Sequence, residues 1–83
     1  MARRIVPKAT PEQEGPLTAE LLGRFVRARR TQANLEIRQT ALACGVATDT
    51  LHKIELGKEV SLGSALKVIT ALGIQLTVEN WDE

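Results

Sequence analysis

Five polar side chains crowd into six consecutive positions: Thr48, Asp49, Thr50, His52 and Lys53. Each can read a duplex. Lys53 can donate to guanine O6 and N7, Asp49 can accept from cytosine N4, and Thr48 and Thr50 can bond a base or a phosphate. Asp49 also suits the positive end of a helix, so a structural role is open to it equally. His52 reads as a phosphate contact or a bystander: there is no second His and no suitably placed Cys to make a metal site. No Ser/His/Asp or Cys/His spacing, no phosphate-cradling Gly-rich loop and no paired carboxylates in an apolar setting occur elsewhere, so the chain is not expected to be an enzyme or to need a cofactor. Ser61 and Ser64 read as helix caps rather than nucleophiles.

Thirteen residues, Gly45 to Gly57, carry that polar set. Val46, Leu51 and Ile54 suit one inner face, which leaves the five polar residues outward, and Gly57 offers a left-handed stop. So short a helix with so thin a stripe needs other helices to hold it. Helix 2 is predicted over Ile37 to Cys44, with Ile37, Ala41 and Cys44 inward and Cys44 a core residue rather than a reactive thiol. Gly45 then turns the chain into helix 3, which makes a helix-turn-helix. Helix 1 should start behind a Thr18 cap, with Leu17 stapled on Leu22, and end near Ala33 with Asn34 in the left-handed position. Its stripe is Leu21, Leu22, Phe25 and Val26. Arg24 and Arg27 are phosphate candidates, while Arg29 and Arg30 read as solvated. Helix 4, capped by Ser61 and closed by Gly73, runs through Leu62, Ala65, Leu66, Val68, Ile69 and Leu72 as the expected floor of the core.

The chain has 83 residues and a net charge of +1, which bounds it to one small domain. Phe25 and Trp81 are its only aromatic residues, so the core must be aliphatic. One cysteine excludes an internal disulfide and fits a reducing cytoplasm. No apolar run approaches the roughly 20 residues that span a bilayer, and the basic start lacks the apolar stretch of a secretory signal. The charge is asymmetric: residues 1–34 hold seven Arg and Lys against three Glu, and residues 35–83 hold four against seven acids. A basic first third points to a polyanion.

Three parts follow. Residues 1–16, with three prolines, form an arm without regular structure. The arm is either a free tail or a strap whose Arg3, Arg4 and Lys8 follow a phosphate backbone or enter a minor groove. Residues 17–73 are the helix-turn-helix domain. Residues 74–83 begin with an alternation, Ile74, Leu76 and Val78 against Gln75, Thr77 and Glu79, which reads as a strand, with an irregular extension packed on the bundle as the alternative. A lone strand needs a partner, most simply the same strand of a second copy across a two-fold axis. The fold class is therefore all-α, four helices with a C-terminal strand that pairs in a homodimer.

The stretch from Leu35 to Gly57, L-E-I-R-Q-T-A-L-A-C-G-V-A-T-D-T-L-H-K-I-E-L-G, resembles the Cro/C1 (xenobiotic-response-element) helix-turn-helix family. Residues 61–78, with a serine-capped helix that ends in A-L-G before the alternating segment, are similar to its HipB-type branch. The resemblance implies a cytoplasmic DNA-binding antitoxin and autorepressor that holds a HipA-like serine/threonine kinase toxin inactive. It puts the base-reading positions on Thr48, Asp49, His52 and Lys53, and a phosphate anchor on Ile37. Ile37 stands where the family usually has Gln and cannot donate, so that anchor must come from Arg24, Arg27 or Arg38. Ala47 and Glu36 replace usual Ser/Thr caps, and Thr40 replaces a usual Leu. Two recognition helices about 34 Å apart imply a palindromic operator. Trp81 reads either as an anchor for the toxin or as a cover over the dimer strands. A stand-alone repressor without a toxin, and a protein-interaction module that has lost DNA binding, are the competing readings.

Overall fold

The computed structural model describes residues 4–79. Four helices form in order: α1 (Ala19–Gln32), α2 (Ile37–Cys44), α3 (Thr48–Glu55) and α4 (Leu62–Ala71). Two of the starts are capped as the sequence leads one to expect. Thr18 Oγ1 accepts from the Leu21 N–H at 3.0 Å, and Ser61 Oγ accepts from the Ser64 N–H at 3.1 Å.

All four helices stop by one device. The residue after each last turn has positive φ: Asn34 at 57°, and Gly45, Gly57 and Gly73 at 71–75°. The following N–H then reaches back five residues, from Leu35 to the Arg30 carbonyl, Val46 to Ala41, Lys58 to Lys53 and Ile74 to Ile69. This is the Schellman closure, which satisfies carbonyls that a helix end would otherwise leave open.

Val26, Leu51 and Val68, one from each of α1, α3 and α4, are the largest fully buried side chains. Ala41, Cys44 and Ile54 complete the central cluster, and Leu22, Ile37 and Leu72 pack against its edge. The core is aliphatic, as the composition requires. The helix predicted to be the most dependent on its neighbours, α3, packs against each of the other three.

The structure corrects two expectations about this architecture. Leu62 and Leu66 do not floor the core: they are 74% and 45% exposed, and Ala65, Val68 and Ile69 fill that role. The stripe of α4 is narrower than its composition, because a ten-residue helix turns only one face inward. The strand expected from Ile74, Leu76 and Val78 is not formed either. Residues 74–79 carry no regular structure, since a single chain offers them no edge with which to pair. Trp81 lies outside the described residues.

Candidate nucleic-acid interface

Helix α3 is amphipathic in the sense the sequence demands. Leu51 and Ile54 are buried, while Thr48, Asp49, His52 and Lys53 are exposed. Thr50 departs from the expectation that it points outward: it is half-buried, about 200° around the helix from His52. On the outer face the Lys53 ammonium lies 3.2 Å from the Asp49 carboxylate, one turn apart. Both side chains are at least half exposed, so the pair is worth only about 0.3–0.5 kcal/mol. A base edge or phosphate can displace it, and until then it holds the two groups together.

What seats α3 is less visible in the sequence. Arg30, expected to be solvated, is buried. Its Nε and Nη2 donate to the two carboxylate oxygens of Glu55 at 2.6 and 2.9 Å, and its Nη1 donates to the Leu35 carbonyl at 2.8 Å. One guanidinium thus ties α1 to the α1–α2 loop and to the end of α3. The signal was present: Leu22, Val26 and Arg30 follow one another at intervals of four, so Arg30 continues the buried stripe. Gly23 is the second fixture. A Cβ there would overlap the Ile54 carbonyl oxygen and approach that of Glu55 to 2.9 Å, so only glycine lets α1 and α3 come this close. A glycine inside an otherwise regular helical pattern is the cue for such an approach. Gly57 is the third: besides its φ of 75°, a Cβ would stand 2.8 Å from the Glu20 Cα. Arg29, also expected to be free, donates from Nε to the Leu72 carbonyl at 2.9 Å and so closes the end of α4.

Arg24, Arg27 and Arg38 are all exposed, but they do not converge. Arg27 shares with His52 a groove bounded by α1, the start of α2 and α3. Arg38 shares with Thr48 a shallower groove over the α2–α3 turn. Arg24 lines neither. The N-terminal arm has no regular structure, yet it is attached to the domain. The Lys8 N–H donates to Thr31 Oγ1 at 2.9 Å, and Gln32 Nε2 donates to the Lys8 carbonyl at 2.6 Å and to Thr10 Oγ1 at 3.0 Å.

Neither α2 nor α3 has a side-chain cap; Glu36 and Ala47 make no such bond. Their first N–H groups are therefore open to an incoming acceptor, and the positive ends of both helix dipoles are unscreened by a cap. Cys44 belongs to the core, and burial pushes its thiol pKa up, so it stays protonated near neutrality.

Two short helices joined by a tight left-handed turn, the second buried on one side and polar on the other, define a helix-turn-helix protein of the DNA-binding class. The chain belongs to the helix-turn-helix domain family, which matches residues 21–79, from within α1 to the segment that follows α4. No curated protein matches the chain. No helix among the described residues is long and apolar enough to cross a membrane.

Proposed function

We propose that this protein is a sequence-specific repressor that binds double-stranded DNA with α3 in the major groove and acts as a homodimer on a palindromic operator. The observation that carries the reading is the division of α3. Leu51, Ile54 and Glu55 fasten it to the domain, while Thr48, Asp49, His52 and Lys53 remain free to meet base edges. Arg24, Arg27 and Arg38 supply phosphate contacts, which carry most of the affinity and make it fall steeply with salt; Thr50, half-buried, contributes at the rim.

The homodimer is supported by apolar surface that one chain cannot cover. Leu62, Leu66, Leu76 and Val78 are all exposed, with Val78 at 90%. In this reading Ile74, Leu76 and Val78 become an antiparallel strand only when the second copy arrives. The resemblance of residues 61–78 to the HipB-type branch supports the finer role of a cytoplasmic antitoxin and autorepressor that neutralises a HipA-like kinase toxin, with Trp81 as a contact to that partner. A repressor without a toxin shares every DNA-binding feature and differs only in lacking the kinase.

Binding of the full chain to a duplex from its own promoter, set against a scrambled duplex at low salt, tests the core of the reading. The parent should prefer the promoter duplex and Lys53→Ala should lose that preference. No preference by the parent would sink the proposal. A pull-down of the co-expressed chain that recovers no kinase would leave the stand-alone repressor.

A further inference from the structure

The arm that precedes α1 lies outside the helix-turn-helix match, yet three hydrogen bonds fix Lys8 and Thr10 on the C-terminal half of that helix. The receiving hydroxyl, on Thr31, is itself buried and oriented by donating to the Arg27 carbonyl at 2.8 Å. From Lys8 back to Arg4 the chain can reach at most about 14 Å. It runs along the groove that also takes in Arg27, Ile37 and His52, with Arg4 and Ile5 in its wall.

The helices themselves bring few cationic side chains to a phosphate at this rim. Ile37, the first residue of α2, has a backbone N–H but no side-chain donor, and the Arg30 guanidinium is committed to Glu55 and Leu35. The cations left are Arg27 and, from the arm, Arg4 and Lys8. The arm residues are exposed, and among the described residues neither forms an ion pair. Against these three stands one unpaired carboxylate, Glu36. The rim is therefore positive, and it is continuous with the exposed face of α3, because His52 belongs to both.

We propose that the docked arm is a second nucleic-acid contact: a strap that lays Arg4 and Lys8 on the phosphate backbone beside the groove entered by α3. The inference rests on the reading of α3 as a DNA-binding helix. Phosphate contacts position a protein without specifying sequence, so the arm should add affinity for any duplex and leave discrimination to α3.

The test uses the full chain, a duplex it selects from a random library, and a scrambled duplex of the same composition. Arg4→Gln/Lys8→Gln should weaken binding to both duplexes by a similar factor, tenfold or more at low salt. The ratio between the duplexes should be unchanged, and the salt slope should fall by about 0.9 for each phosphate no longer neutralised. Lys53→Ala should instead collapse the ratio. Gln32→Ala keeps both cations but removes two of the three bonds that hold the arm, and should weaken both duplexes as well. Unchanged or tighter binding by the double variant, with Lys53→Ala still losing discrimination, would overturn the strap and leave the α3 reading intact. Unchanged binding by Gln32→Ala would overturn the docked geometry, and failure of the parent to select any duplex would overturn both.

Discussion

Arg30 and Glu55 face one another across the α1–α3 contact with two parallel hydrogen bonds, at 2.6 and 2.9 Å, and side chains only 11% and 6% exposed. Bidentate geometry of this kind fixes orientation as well as distance. The helix proposed to read DNA is thus held by a directional clamp at its C-terminal end, where Leu51 and Ile54 alone would permit rotation about the helix axis.

Removing one side of the clamp strands the other in a buried site. Glu55→Ala should destabilise the domain by about 3–5 kcal/mol, enough to leave a small domain partly unfolded. Chemical denaturation of Glu55→Ala, Arg30→Ala and the double variant would show it. A double variant as unstable as the sum of the singles would mean the two side chains do not act as a pair.

Gly23→Ala sets two effects against each other. Alanine favours the helical backbone by about 1 kcal/mol, but its Cβ would press on the Ile54 carbonyl oxygen. Overpacking costs about 1–3 kcal/mol, so the melting temperature should fall. A rise would mean that α1 and α3 can separate at little cost.

The uncapped start of α3 gives a prediction of the opposite sign. Ala47→Ser supplies the missing acceptor and should raise stability by about 0.5–1 kcal/mol. An unchanged denaturation midpoint would indicate that the Ala47 backbone cannot present the hydroxyl to the first turn.

Burial raises the Cys44 pKa, with a definite consequence for pH dependence. In the unfolded chain the thiol ionises from about pH 8.5, whereas the folded form keeps its proton. The native state then binds more protons, so stability is full below that pH and declines as pH rises above it. Cys44→Ala should lose less stability than the parent between pH 8 and pH 10. Parallel losses in the two proteins would refute the assignment.

Much of the architecture was legible because it depends on local signals. Thr18 and Ser61 are acceptors placed ahead of apolar runs, and Asn34, Gly45, Gly57 and Gly73 are residues that tolerate positive φ. These fix helix ends without reference to the rest of the fold. Four of the five polar positions expected on the outer face of α3 were equally readable, since Leu51 and Ile54 leave few arrangements; Thr50 is half-buried instead. Arg30 was misread because its charge outweighed its place on the Leu22–Val26 stripe, and its partner Glu55 lies 25 residues away. Leu62 and Leu66 were misread because hydropathy records what a side chain prefers, not whether one chain has a surface to offer it. The alternating residues 74–79 are of the same kind, as alternation records which faces side chains would take and not whether a neighbouring strand is there to pair with.

The separation of anchoring from exposed residues along α3 has an engineering corollary. Leu51, Ile54, Glu55 and Gly57 hold the helix in place, whereas Thr48, Asp49, His52 and Lys53 contribute little to that hold, so the four exposed positions can be exchanged together. On the proposed reading of α3, a library randomised there without Gly or Pro, on an otherwise unaltered chain, would sample new target sequences at little cost to folding.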